Sequence, residues 1–584
     1  MDQAVFNHKK LLEENREIFA IAREADDLDD LRRKFFAFTY EMENSLYQSG
    51  KEREADVLTR IKDCAQVLRD IFKERSDKLA GFSVARAVWD IAHGEERPDL
   101  LSGFYADLSH MFLGLKGSGS RQSLNKMHVR PFQSESGRQM AIERSGQLDQ
   151  LRGEIDKRMA LYDSGLLPES IERRKKRRDK ICDVFGITPE QWRDWHWQIN
   201  NIVQDVEQLA RLANLTSDQV KAVALAGDKG LPFGITPYYL TLMDEEAGRR
   251  DAAIRAQVLP PMDYVKQIST TRHCASLDFM GEEDTSPFDL ITRRYPAICI
   301  LKPFNTCPQI CVYCQRNWEI DDAMAPDSFA GMAKIDAAID WIKEHPTIHD
   351  VLITGGDPLA LGNRVIEDVL ERVAALPSVE RIRIGTRTPV TMPMRITDKL
   401  AGILGRFREP GRRDVAVVTH VQHPYEITPD LIEAVRKIRM QGIGVYNQLV
   451  YTFFISRRFE AAALRKHLRL AGIDPYYTFN TKGKEETLSY RVPIARLIQE
   501  QEEEARLLPG LERTDEAVFN VPRLGKNYLK SNTNRNLISI RPDGSRVYEF
   551  FSWEKNISLE ARTYIFSDVP IYDYLTRLEK AGEK

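Results

Sequence analysis

The stretch I-C-I-L-K-P-F-N-T-C-P-Q-I-C-V-Y-C-Q-R-N-W, residues 298–318, decides how the chain is read. It opens as a short apolar run, Ile298–Leu301, with the character of a strand. It then passes into a loop that carries Cys307, Cys311 and Cys314 at C-x3-C-x2-C spacing. Three thiolates in one tight loop can hold three irons of a cubane [4Fe–4S] cluster, because soft sulfur suits iron. The fourth iron is left open to a substrate or cofactor, since no cysteine follows Cys314. Two other readings stand beside this one: three reduced, buried thiols, or a structural zinc site without an obvious fourth ligand.

Moving outward, short runs rich in β-branched residues recur at intervals of about thirty residues. After Ile298–Leu301 come Val351–Thr354, Ile382–Thr386, Val415–His420, Val445–Tyr451 and Pro475–Phe479. Amphipathic segments of helical length lie between them: Ala333–Lys343, Arg364–Ala374, Pro429–Met440 and Phe459–Leu470. Strand and helix alternating in this way predict βαβ units and a parallel sheet. Six units are too few for a closed eight-stranded barrel. An open (βα)6 partial barrel fits better than a flat doubly wound sheet, although periodicity alone does not separate them.

In such sheets function gathers at the carboxyl ends of the strands. The segments expected there are polar in every case. They are the Cys307 loop, Gly355-Gly356-Asp357-Pro358, Thr386-Arg387-Thr388-Pro389, His420 with Gln422 and His423, Asn447 and Gln448 within the fifth strand, and Asn480-Thr481-Lys482.

The rest of the 584 residues is less regular. Residues 1–170 read as a helical extension, with Leu31, Phe35, Phe36, Phe38, Met42 and Leu46 at near-helical spacing and residues 56–80 in the same style. Residues 171–290 form a helical lead-in, 291–500 the parallel-sheet region and 501–584 a closing segment. G-L-K-G-S-G-S-R-Q-S, from Gly114, is a loop that lacks the ending of a phosphate-binding loop. R-R-K-K-R-R, 173–178, is either a solvated helix face or a basic patch. Trp192, Trp195 and Trp197 suit a packing helix. Ile538–Trp553 reads as a hairpin around Pro542-Asp543-Gly544.

Composition narrows the class. Hydrophobic residues at 42% suffice for cores, and 84 basic against 87 acidic residues leave a net charge of −3. That balance argues against nucleic acid or a membrane surface as a general partner. No apolar run nears the roughly 18 residues of a membrane span, and the first residues lack a signal-peptide pattern. Seven cysteines, three of them clustered, suit a reducing cytoplasm.

The C-x3-C-x2-C loop, with Tyr313 before its last cysteine, resembles the radical S-adenosylmethionine (SAM) enzymes, and G-G-D-P resembles their segment for the methionine amino group. The likeness narrows to the lysine 2,3-aminomutase family over residues 172–560. The stretches that carry it are W-R-D-W-H-W-Q (192–198), I-T-P-Y-Y-L (235–240), R-Y-P (294–296), I-R-I-G-T-R-T-P (382–389), R-I-T (395–397), H-P-Y-E-I-T (423–428) and N-Q (447–448). The resemblance implies a [4Fe–4S] cluster on Cys307, Cys311 and Cys314, together with SAM and pyridoxal 5′-phosphate (PLP). It implies SAM contacts at Tyr313, Gly355, Gly356, Asp357, His420 and Gln448, and PLP contacts at Arg294 and Tyr295. Lys526 matches the family's Schiff-base lysine. Arg316 matches the arginine that grips the substrate α-carboxylate, a task suited to a guanidinium fork.

Departures from the family pattern bear on the substrate. Lysine-specific members hold the distant ammonium with two aspartates; here Lys482 and Asn520 align with those positions. A cation and an amide would repel an ammonium and accept a carboxylate. The pair resembles the glutamate 2,3-aminomutase branch, which converts L-glutamate to β-glutamate by moving the amino group from C2 to C3. Lys484 and Asn480 lie close enough for an alignment shifted by a residue or so. Another amino acid (lysine, arginine or an aspartate-like one) is an alternative substrate, and an iron–sulfur regulatory or binding protein is the alternative from another class. Ile298 stands where lysine-specific members carry an arginine, and Arg523-Leu524-Gly525 is all that remains of a glycine-rich run before the Schiff-base lysine. The C-terminal zinc-binding cysteines of some members are absent, and no zinc is expected. The reading also implies an electron donor such as flavodoxin or ferredoxin, and a homo-oligomer.

Overall fold

A parallel strand buried on both faces needs apolar residues throughout, and each crossover helix needs one apolar stripe to cover it. The computed structural model describes residues 6–48, 55–118, 137–271, 278, 280–316, 319–481, 485–531, 533–552 and 563–582. The chain forms two units. One comprises Arg152–Arg491 and Glu500–Arg523; the other comprises Met1–Leu151, Val492–Gln499 and Leu524–Lys584.

The first of these units holds eight strands: β1 (Ile291–Tyr295), β2 (Ile298–Phe304), β3 (Asp350–Gly355), β4 (Arg381–Gly385), β5 (Asp414–Thr419), β6 (Gly444–Tyr451), β7 (Asp474–Asn480) and β8 (Glu516–Val521). Each strand lies beside its neighbours in sequence. A doubly wound sheet would reverse its order at a switch point; this one never does, and it is the expected partial barrel. Pairing from β2 to β8 is parallel throughout. Helices Met332–Lys343, Asn363–Ala374, Pro429–Met440 and Glu460–Leu470 occupy the expected crossovers, and Asp398–Arg406 fills the one that the periodicity left unmarked. Thr397 and Thr428 start their helices by accepting from Leu400 N and Leu431 N, at 3.1 and 3.0 Å.

Two strands lie outside the six-unit reading. β1 pairs antiparallel with β2, in the register Ile291↔Leu301. β8 pairs parallel with β7, in the register Tyr477↔Glu516. The register also brings the strand ends level, as in Phe304↔Gly355, Gly385↔Val418, Thr419↔Asn447 and Tyr451↔Asn480. The polar segments therefore share one edge.

The lead-in helices serve this unit. In the basic run, Arg174 and Arg177 are buried, and donate to the carbonyls of Gly165 and Met243. Those two are structural, and the run is only partly a solvated face. Trp192 is buried and lies 5.9 Å from the Trp197 ring.

The other unit packs helices Leu28–Gln48, Ala55–Ile71 and Ser102–Leu115 around Phe19, Phe35, Phe72, Phe104 and Phe112, with Ile540 in the same core. Ile540 ends β10 (Arg535–Ile540), which follows the short strand β9 (Gly525–Tyr528). β10 and β11 (Arg546–Phe550) form the expected hairpin, and β12 (Tyr564–Ser567) completes an antiparallel sheet. Trp553 and the second half of the Gly114 loop, residues 119–123, fall outside the described residues. Arg546 grips Asp107 at 2.6 and 2.8 Å, so N-terminal helices and C-terminal strands fold together. Among the described residues no helix is long and apolar enough to cross a membrane.

Candidate active site

The loop after β2 is anchored by backbone hydrogen bonds. Gly356 N donates to Phe304 O at 2.7 Å, and Asp357 N to Thr306 O at 2.9 Å. Ile310 N and Val312 N donate to the carbonyls of Gly234 and Gln257, both at 2.9 Å. A Cβ at position 356 would lie 1.9 Å from Thr306 O and 2.5 Å from Thr306 C, so only glycine permits this approach. Gly355 has φ +118°, a conformation that L side chains rarely adopt.

Asp357 is buried, and its carboxylate accepts from Thr386 Oγ1 at 2.6 Å, Arg387 N at 2.8 Å and Leu359 N at 3.2 Å. It ties the end of β3 to the end of β4. Burial raises its pKa, and those hydrogen bonds oppose the rise.

Burial also raises the Cys307 thiol well above its ordinary range, and Asp357 and the other two cysteines add to the effect. Burial raises Cys311 as well, against the pull of Arg387. A metal bound there would have to displace the thiol protons, since the thiolate is the ligand form. Cys314 Sγ accepts from Arg316 N at 3.4 Å.

Arg387, which directly follows Thr386, is the hub of the edge. Its Nη1 donates to Cys311 Sγ at 2.9 Å and its Nε to His420 O at 3.1 Å. Its Nη2 reaches Glu426 Oε1 at 2.7 Å, Tyr239 OH at 3.3 Å and Gln257 Oε1. Glu426 also accepts from Tyr239 OH at 2.6 Å and from Gln422 N at 2.5 Å. Tyr313 OH donates to Gln257 Oε1 at 3.1 Å. Burial would lower the Arg387 pKa, but Cys311, Tyr313, Tyr239 and Glu426 outweigh it and raise it well above the usual value.

Further along the edge, His420 Nδ1 lies 3.0 Å from Gln448 O, and Gln422 Nε2 donates to the same carbonyl at 3.2 Å. Asn447 fastens β6 to the loop after β5 through Val421 N at 2.7 Å and Val421 O at 3.0 Å.

A second charged group sits beside β1 and β2. Glu282 Oε1 accepts from Arg316 Nη1 at 2.5 Å, Lys302 Nζ at 3.0 Å and Thr292 Oγ1 at 3.2 Å. Arg294 Nη2 stands 3.7 Å from Glu282 Oε2. Arg316 Nη2 also pairs with Glu319. Burial pushes the Glu282 carboxyl up, but Arg316, Lys302 and Arg294 overcome it and hold the pKa at about 2.

The remaining expected residues are distributed as follows. Tyr295 ends β1, half-buried. Asn520 is buried on β8, two residues beyond Val518, whose partner is Phe479 at the end of β7. Lys482 and Lys484 lie outside the described residues. Lys526 is half-buried on β9, in the other unit. The structure therefore brings together the cysteines, Tyr313, Gly355, Gly356, Asp357, His420, Gln448 and Arg316.

Glu426, Tyr239, Gln257, Glu282 and Lys302 were not assigned to the site from sequence, and Arg387 was placed on this edge only as part of a polar segment, without a role. A signal for three of them was present: Tyr239, Arg387 and Glu426 lie within I-T-P-Y-Y-L, G-T-R-T-P and H-P-Y-E. Those stretches converge because they build this network. W-R-D-W-H-W-Q and R-I-T support it from behind. Gln198 Oε1 accepts from Tyr238 N at 2.9 Å, while Arg395 donates to Leu359 O and Leu361 O at 2.8 Å and stacks on Trp195 at 4.3 Å.

The donor set fits the expected groups. No three His, Cys, Asp or Glu side chains among the described residues converge on a single ion. A cubane does not need them to, since each thiolate takes a different iron. Both side-chain polar atoms of Gln309, within the cysteine loop, are buried and make no hydrogen bond. Arg294 Nη2 likewise makes none, which suits an anion such as a phosphate.

The Radical SAM superfamily model matches residues 301–455. An uncharacterized KamA family protein of Methanocaldococcus jannaschii is 42% identical over 97% of this chain and 94% of its own length. A glutamate 2,3-aminomutase of Clostridioides difficile is 33% identical over 61% of this chain and 80% of its own. An L-lysine 2,3-aminomutase of Fusobacterium nucleatum is 31% identical over 54% of this chain and 71% of its own.

Proposed function

We propose that this chain, which belongs to the KamA family of radical SAM aminomutases and is an isomerase of that kind, acts on glutamate as a 2,3-aminomutase. The radical SAM domain implies a [4Fe–4S] cluster and SAM; PLP is part of the proposal. When bound, the cluster and SAM supply a 5′-deoxyadenosyl radical, and PLP carries the migrating nitrogen.

The protein's own residues then have five tasks. Cys307, Cys311 and Cys314 hold the cluster, while Gly355, Gly356, Asp357, Tyr313, His420 and Gln448 shape the SAM pocket. Arg316 offers its fork to the substrate α-carboxylate, in exchange for its ligand-free partners Glu282 and Glu319. Arg294 and Tyr295 approach PLP, and Lys526 anchors it. Lys482 and Asn520 receive the distal carboxylate.

The substrate reading rests on the alignment of Lys482 and Asn520 with two positions that are acidic in lysine-specific members. Asn520 is buried near the carboxyl end of β8, and its amide supplies no charge to pair a buried ammonium. An electron donor of the flavodoxin or ferredoxin type, a homo-oligomer and a cytoplasmic setting complete the reading. The test is anaerobic incubation of reconstituted protein with SAM, dithionite and equal glutamate, lysine and arginine, followed by mass spectrometry. β-Glutamate as the main product is expected. β-Lysine or β-arginine in its place would overturn the substrate, and SAM cleavage without any amino-acid product would favour a binding or regulatory protein.

A further inference from the structure

We propose that Arg387 sets the reduction potential of the cluster through Cys311, and that Glu426 holds it in place and counters its charge. This rests on the reading of Cys307, Cys311 and Cys314 as cluster ligands. Arg387 touches one of those thiols directly, at 2.9 Å. Its other nitrogens are all engaged: Nε by His420 O, and Nη2 by Glu426, Tyr239 and Gln257. The guanidinium is thus fixed in a buried place, with one N–H aimed at sulfur.

A cluster bound by three thiolates is anionic, and one-electron reduction makes it more so. Low local dielectric enlarges the effect of every neighbouring charge. Hydrogen bonds to the ligand sulfurs and nearby net charge are the terms by which a protein tunes such a potential. A cation on the Cys311 sulfur favours the reduced state. Glu426, on the opposite nitrogen of the same guanidinium, acts with the opposite sign from farther away. Arg387 is therefore a positioning residue with a redox role, and its pairing with Glu426 determines how much of its charge the sulfur feels.

This predicts shifts of opposite sign. Arg387→Gln should move the midpoint to a more negative potential, so that less of the cluster is reduced at a fixed solution potential. Glu426→Gln should move it to a more positive one. Arg387→Lys, which keeps the charge but loses the fork, should fall between wild type and Arg387→Gln.

The experiment is a mediated, dithionite-poised titration of the reconstituted full-length protein, followed by the electron paramagnetic resonance signal of the reduced cluster. Iron and sulfide content are measured on each sample. Midpoints of Arg387→Gln and Glu426→Gln on opposite sides of wild type support the proposal. Shifts in the same direction, as loosened packing alone would give, or no shift, overturn it. If Arg387→Gln cannot hold a cluster, Glu426→Gln decides alone: a positive shift supports the proposal, and a negative or absent one overturns it. A wild-type protein that assembles no cluster overturns the ligand reading, and the inference with it.

Discussion

Glu282→Gln removes the single carboxylate around which Arg294, Lys302 and Arg316 gather. Glu282 has an ordinary carboxyl value of 4.5 in the unfolded chain and about 2 in the folded one. A depressed folded value means that the stabilisation is fully present above about pH 4.5 and is lost as pH falls toward 2. At pH 7 the difference corresponds to about 3 kcal/mol, falling to roughly 1.4 kcal/mol at pH 3. Glutamine keeps the shape and one acceptor but leaves Arg294 and Lys302 without this carboxylate and Arg316 with Glu319 alone, the costly way to break a buried pair. The assay is urea unfolding of both proteins at pH 7, 4.5 and 3. The variant should be weaker by about 3 kcal/mol at pH 7, and the gap should at least halve by pH 3. No gap at pH 7, or one of constant size down to pH 3, would refute the reasoning. Phosphate should also recover part of the loss at pH 7, because it can take the place of the missing anion.

Three further outcomes follow from the same geometry. Gly356→Ala puts a methyl group against backbone atoms of Thr306, 1.9 Å at the closest; losing the two backbone hydrogen bonds there should cost roughly 2–4 kcal/mol of folding stability, read by urea unfolding, and SAM binding measured by calorimetry on the reconstituted protein should weaken. Lys526→Ala should abolish borohydride trapping of PLP while leaving iron content unchanged, and undiminished trapping would move the anchor to another lysine. Asn520→Asp combined with Lys482→Asp should lose β-glutamate production by at least tenfold before iron content or SAM cleavage changes, as measured by product mass spectrometry.

The barrel was legible because its strands are buried on both faces, and burial shows as continuous β-branched runs such as Val415–Thr419. β1 was not, because I-T-R-R-Y carries its polar residues for the charged group around Glu282 and lacks the apolar run of the other strands. β8 was hidden by its position after an irregular stretch, where six residues carry too little period to stand out. The strand-end segments could be placed because parallel register brings them level. The partners of Arg387 could not, because Tyr239 and Gln257 lie 148 and 130 residues from it in sequence, and no local spacing encodes such a contact. The resemblance marked Tyr239, Arg387 and Glu426 as members of motifs without saying that they touch. N-terminal helices and C-terminal strands read as separate segments for the same reason, since the pairing of Asp107 with Arg546 spans 439 residues.

The edge of the barrel divides its work unevenly, and that division bears on how substrates change within the family. From β2 to β6 the strand ends are cross-linked by buried polar groups: Asp357 to Thr386, Arg387 to Cys311 and Glu426, and Asn447 to Val421. Removing any one of these leaves a buried donor or acceptor unmatched, at about 1–3 kcal/mol each and more for a charge. Asn520 takes part in none of those hydrogen bonds. On the proposed role of Asn520, a change at the end of β8 should therefore alter substrate preference without disturbing the cysteine loop. The same argument implies an order of tolerance. Substitutions at 520 should be read out in substrate preference, those at 387 or 426 in cluster potential, and those at 356 or 357 in SAM affinity. A chain in which a change at 520 shifted the cluster midpoint as far as one at 426 would show that the two halves of the edge are coupled after all.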